Sequence, residues 1–103
     1  MTVLPYRLHE KAYHEYIEAY EWYELKQKGL GDRFMNNIEK MLRQISQHPY
    51  YYPNKHGNYR EAKVEDFPFL VVYEVFKQKQ LIHIAAIYHG KRNPRSKYRN
   101  LKK

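Results

Sequence analysis

The 103-residue chain contains no cysteine. That excludes a disulfide framework and any thiolate zinc site, and it fits a reducing compartment. Long apolar runs are also missing. The longest mostly apolar stretch, Phe67 to Phe76, is half the length of the roughly 20 residues a bilayer-spanning helix needs, and it contains Glu74. Met1 to Tyr6 does not have the layout of a signal peptide. These absences predict a soluble, cytoplasmic protein without membrane contact. There is no internal repeat, no low-complexity run and no linker before the last residues, so one domain over residues 1–103 is expected.

Acidic residues are scarce in one half only. Residues 1–48 carry seven bases and seven acids, whereas residues 49–103 carry twelve bases and four acids, so the formal charge of +8 arises entirely in the second half. Gly90 to Lys103 has seven bases and no acid. A near-neutral body with a cationic tail points to local contact with a polyanion or an acidic partner; a solvated tail accounts for the charge equally well. Aliphatic residues are modest in number because twelve of the residues scored as hydrophobic are tyrosine. Tyrosine must therefore supply much of the core, with hydroxyls that reach partners at its edge.

Periodicity divides the chain into elements. Thr2 to Leu8 alternates partly and reads as a strand that Pro5 confines to an edge. From Glu10 to about Lys26, Ala12, Tyr13, Tyr16, Ile17, Tyr20 and Tyr23 recur at helical spacing opposite Glu15, Glu18 and Glu21. The stripe Tyr13, Tyr16, Tyr20, Tyr23 is assigned to the core. Gly29-Leu30-Gly31 breaks this helix, and a second runs from Asp32, in the capping position, to Gln47, with Pro49 marking the stop. Tyr50 to Asn58 reads as a loop. Three strands follow, at Tyr59 to Val64, Phe69 to Phe76 and Leu81 to Tyr88, the last two joined as a hairpin by Lys77 to Gln80. Phe69, Val71, Tyr73 and Val75 share one face by alternation, as do Ile82, Ile84, Ala86 and Tyr88. The predicted class is α+β, order β-α-α-β-β-β. A two-helix hairpin covers one face of a four-stranded sheet, the other face is left open, and a basic C-terminal tail follows.

Trp22-Tyr23-Glu24, the run Gly29-Leu30-Gly31-Asp32-Arg33-Phe34, His48-Pro49, Arg60, Phe67-Pro68-Phe69 with Tyr73, and His89-Gly-Lys-Arg92-Asn-Pro94 follow one another in an order and spacing that resemble the RelE/ParE superfamily of type II toxins. The resemblance covers nearly the whole chain. It implies a toxin encoded beside an antitoxin whose acidic, partly disordered segment orders on the basic half of the toxin. It further implies contact with operator DNA only through the antitoxin, and a homodimer or a heterotetramer with it. ParE-like members poison DNA gyrase; RelE-like members are ribosome-dependent mRNA endonucleases that work without a metal. A third alternative is an inactive relative that serves only as an antitoxin-binding corepressor. The His-x-x-Arg-x-Pro run is closer to the ParE-like branch, although Tyr98 stands where those members usually have Trp, and only Lys55 and Lys63 flank Arg60 where RelE-like nucleases have several lysines ahead of it.

If the chain were RelE-like, cleavage would use the substrate 2′-hydroxyl and would need a base, an acid and cations for the developing charge. The candidates are Arg60, His89, Arg92 and Tyr98. Each has a plainer alternative: local hydrogen bonding for His89, an antitoxin carboxylate for Arg92, packing or base stacking for Tyr98, and for Arg60 the fact that ParE-like members carry an arginine there too. Contact with nucleic acid or with the target falls to Lys91, Arg92, Arg95, Lys97 and Arg99. No cofactor and no metal site are expected: His9 and His14 miss one-face helical spacing, and His83 and His89 have no carboxylate beside them in sequence. Gly29-x-Gly31 has neither the preceding strand nor the Gly-Lys-Ser/Thr of a phosphate loop.

Overall fold

The computed structural model describes residues 3–90. Its elements are β1 (Tyr6–Leu8), α1 (Glu10–Lys26), α2 (Leu30–Gln47), β2 (Asn54–His56), β3 (Tyr59–Lys63), β4 (Phe69–Phe76) and β5 (Leu81–His89). The strands form one mixed sheet in the order β1-β5-β4-β3-β2, with β1 parallel to β5 and the other pairs antiparallel. The α+β class and the element order agree with the sequence reading, but the sheet has five strands instead of four. The added strand, β2, lies inside the stretch read as a loop. Its Asn-Lys-His sequence is exposed and has little strand propensity, and its pairing comes from the backbone of β3 across the Gly57 turn. Among the described residues no helix is long and apolar enough to cross a membrane.

α1 has the predicted bounds, starting behind His9, whose Nδ1 accepts from the Lys11 N–H at 3.0 Å. Its buried positions Ala12, Tyr16 and Ala19 are mostly small and bring the helix close to β5. Of the tyrosine stripe, Tyr16 is buried and Tyr20 and Tyr23 are half-buried, while Tyr13 is exposed and does not belong to the core. α2 begins two residues before the expected Asp32. Asp32 accepts from the Tyr20 hydroxyl and does not cap the helix; the cap position is Gly29, at φ +88°, which has no capping side chain. The first α2 N–H groups are instead satisfied by the preceding helix, because the Glu24 carboxylate accepts from Gly29 N and Gly31 N, each at 3.0 Å.

α2 buries Phe34, Ile38, Met41, Leu42 and Ile45. Phe34 lies 5.3 Å from Phe67 and 5.0 Å from Phe69, ring to ring, and Tyr23 closes the same cluster. Tyr73 is fully buried and donates its hydroxyl to Pro49 O at 2.7 Å; Tyr16 donates to Glu39 Oε2 at 2.9 Å. Burial raises the pKa of both phenols, and for Tyr16 the Glu39 carboxylate adds to the effect, so both rings stay protonated donors.

The face assignment on β5 needs a correction. Val72 pairs with Ala86 and Tyr73 with Ile84, so Ala85 is an extra residue and the alternation reverses there. Ile82, Ile84 and Ile87 share the core face with Phe69, Val71, Tyr73 and Val75, while Ala86 and Tyr88 lie on the opposite face with Val72 and Leu70. That opposite face is not uniformly open, since Val72, Ala86 and Tyr88 are buried.

Candidate functional site

The four candidates for RNA chemistry do not form one constellation among the described residues. Arg60 and His89 are described; Arg92 and Tyr98 lie outside the described residues, as do Lys91, Arg95, Lys97 and Arg99. Arg60 is opposite Tyr73 and His89 is opposite Phe69, so both start on the helix-covered side of the sheet. They are separated by four residues along β4 and by its full width, which puts their Cα atoms on the order of 15 Å apart.

Arg60 is turned toward the segment that follows α2. Its Nη1 donates to Tyr52 O at 2.5 Å and to Tyr50 O at 3.3 Å, and its guanidinium lies 5.3 Å from the Tyr50 ring centroid. Two backbone carbonyls and one aromatic face thus tie this arginine to the shape of the 50–52 turn. Tyr50 from the turn, with Asn54, Asn58 and Arg60, forms one side of a cleft of about 580 Å³ whose other side is the β4–β5 hairpin. Lys77 Nζ sits 5.7 Å from the same Tyr50 ring, and Lys79 Nζ sits 5.9 Å from the ring of Phe76. Val75 and Gln78 complete the lining, and among the described residues no carboxylate is part of it. Sequence reasoning names Arg60 and allows the outer tyrosines of the 50–52 run to meet a partner, with loop packing favoured, but does not join them to the hairpin lysines. The signals of this cluster were the Tyr50-Tyr51-Tyr52 run and the two lysines of the hairpin, but their convergence requires β3 and β4 to pair.

His89 ends β5 and meets Phe69 edge to face at 5.1 Å. It lines a cavity of about 330 Å³ with Glu15, Glu18, Trp22, Tyr23 and Ile87. β1 pairs only with Ile82 to Ile84, so β5 continues past the end of its neighbour. There α1 supplies the acceptor: Glu15 Oε1 takes the Ile87 N–H at 2.9 Å while Oε2 holds Lys11 Nζ at 2.8 Å. Trp22 is 55% exposed at the rim, with Lys26 Nζ 4.8 Å from its centroid.

A third cluster lies on the opposite face. His83 stacks on Phe76 at 5.5 Å and meets His9 edge to face at 5.5 Å, and its buried Nδ1 has no hydrogen-bond partner among the described residues. Burial, and then the neighbouring His9, lower its pKa, which keeps the ring neutral. Cross-strand from it, Glu74 has its carboxyl raised by burial. Among the described residues no three His, Asp or Glu side chains are grouped so as to hold a metal ion.

Most of the motif residues turn out to be structural. Glu24 caps α2, Pro49 receives the Tyr73 hydroxyl, Phe67 and Phe69 pack on Phe34, and Pro68 O accepts from Gly90 N at 2.7 Å. The family model described as the ParE toxin of the type II toxin–antitoxin system parDE matches residues 6–94. No curated protein matches the sequence. Among solved structures, one from the chromosomal ParDE toxin–antitoxin system of P. aeruginosa superposes with a TM-score of 0.73 at 16% identity, covering 84% of this chain and 96% of that one. A crystal structure of the isolated E. coli RelE toxin superposes with a TM-score of 0.65 at 14% identity, covering 91% of this chain and 92% of the other. At these identities the two superpositions establish the shared fold alone.

Proposed function

The chain belongs to the family of ParE toxins of type II toxin–antitoxin systems, and on that premise we propose that it acts by poisoning DNA gyrase and not by cutting mRNA. It is a ParE-like toxin with an antitoxin partner. The observation that carries the choice of target is the separation of Arg60 from His89. Phosphodiester cleavage through a 2′-hydroxyl needs its proton-transfer group and its charge-stabilising group around a single phosphate, within hydrogen-bond reach. Arg60 is committed to the carbonyls of Tyr50 and Tyr52, and His89 packs on Phe69 beneath α1 on the far side of β4. A poison that holds another enzyme on DNA requires no such constellation; it needs a surface. On charge we assign that surface to the basic run Lys91, Arg92, Arg95, Lys97 and Arg99.

A paired assay tests the reading. Purified toxin is added to gyrase with supercoiled plasmid, and separately to translating ribosomes with a defined message. Linearised plasmid and an intact message are expected. Message cleavage, abolished by His89→Ala, Arg92→Ala or Tyr98→Phe, would sink the proposal and establish the endonuclease. Neutralisation by the antitoxin should weaken as salt rises, because an acidic segment would meet the basic half of the toxin.

A further inference from the structure

We propose that the cleft between the 50–52 turn and the β4–β5 hairpin is the docking site for an acidic, extended peptide segment, with the antitoxin as its source. The proposal rests on the reading of the chain as a toxin with an antitoxin partner. It names a surface made of other residues than the basic run Lys91 to Arg99, with Arg60, Lys77 and Lys79 around Tyr50 and Phe76.

Three observations carry it. First, the charge is uncompensated among the described residues. The lining they form has three cations and no anion, and none of the three cations is paired with a carboxylate. Cations gathered in a concave site raise the local concentration of anionic groups. Second, the scaffold that carries the cations is set. Arg60 is fixed by two carbonyls, and the hairpin is set by overlapping turns: Lys79 N donates to Phe76 O at 3.2 Å, Gln80 N to Lys77 O at 3.2 Å, and Gln80 Nε2 to Lys77 O at 2.7 Å. Binding a charged partner therefore costs little reordering of the backbone.

Third, the aromatic rings argue for a peptide over a nucleic acid. Single-stranded nucleic acid is gripped by rings that offer a face for base stacking. Here each ring already has a cation beside it, Arg60 and Lys77 at Tyr50 and Lys79 at Phe76, and Phe76 is also stacked on His83. A stacking base would compete with contacts already made. Carboxylates need only approach the cation heads, and the amides of Asn54 and Asn58 line the same cleft, where a peptide backbone would find polar partners.

The test measures binding of a fluorescein-labelled hexaglutamate peptide, and of an oligouridylate of equal length, to the full chain by anisotropy. The variants are Lys77→Glu with Lys79→Glu in the cleft, and Lys26→Glu with Lys28→Glu at the end of α1, which make the same change in net charge. Circular dichroism spectra of both variants are compared with the wild type to check that they fold. Hexaglutamate affinity should fall at least about tenfold in the cleft variant and stay within about twofold in the control. No binding to the wild type, or equal losses in both variants, overturns the proposal. An oligouridylate that binds more tightly than hexaglutamate and is lost in the cleft variant overturns it in favour of nucleic acid. Gyrase poisoning by the unmodified chain is read separately, so a wrong target and a wrong docking site give different results.

Discussion

Glu24 in α1 holds Gly31 in α2 from two directions: its carboxylate accepts the Gly31 N–H at 3.0 Å, and a Cβ on Gly31 would lie 2.8 Å from Glu24 Oε1 and from Tyr20 O. The pair makes the helical hairpin tight. The glycine is required because the α1 backbone passes where a side chain would begin, and the glutamate is required because the start of α2 has no side chain of its own to cap it.

Gly31→Ala should therefore force the helices apart at their joined end and cost about 1–3 kcal/mol of stability. Glu24→Ala should cost about as much, since two N–H groups lose a charged acceptor, and Glu24→Gln less, since one amide oxygen remains. Urea denaturation of the three variants measures the order. A Gly31→Ala variant as stable as the wild type would mean that the helices do not approach this closely.

Tyr73→Phe removes one hydroxyl and no packing area. Pro49 O would then lose its donor in a buried setting, and a loss of about 1–2 kcal/mol is expected. Thermal denaturation detects this as a fall of several degrees.

Arg60 offers a direct contrast between two roles. As the clamp of the 50–52 turn, Arg60→Ala should lower stability by about 1–3 kcal/mol and expose the 50–58 segment to limited proteolysis. Arg60→Lys should recover only part of the loss, because an ammonium cannot reproduce a guanidinium that reaches both carbonyls and lies over the Tyr50 ring. A residue reserved for chemistry would leave both measurements unchanged.

His83 predicts a pH dependence with a definite sign. Its pKa in the folded chain lies below the ordinary value, through burial and then through His9, so the neutral ring contributes stability above about 6.5 that is lost as pH falls through the folded value. Arg7 and Glu74 flank it in register on the neighbouring strands. His83→Phe keeps the stack on Phe76 and removes the titration. Between about pH 7.5 and pH 5 the melting temperature of the wild type should drop further than that of the variant. Parallel curves would assign the acid sensitivity to other groups.

The sequence by itself determined the α+β class, the order of the helices and the three long strands, and the bounds of α1, because these follow from local periodicity. It also determined the family, since the motif runs from Trp22 to Pro94 keep their order and spacing whatever each residue does. Only the tertiary structure decided the rest. β2 takes its pairing from the β3 backbone, and nothing in Asn54 to His56 encodes a strand. The extra residue at Ala85 moves Ala86 and Tyr88 to the opposite face, and a strand that is apolar on both sides carries no mark of where its alternation reverses. Arg60, Tyr50, Lys77 and Lys79 are far apart in the chain and meet because β3, β4 and β5 pair as they do. Local pattern reports which way a side chain faces along its own element; which residues share a cleft depends on pairing between elements, and that is set by the folded sheet.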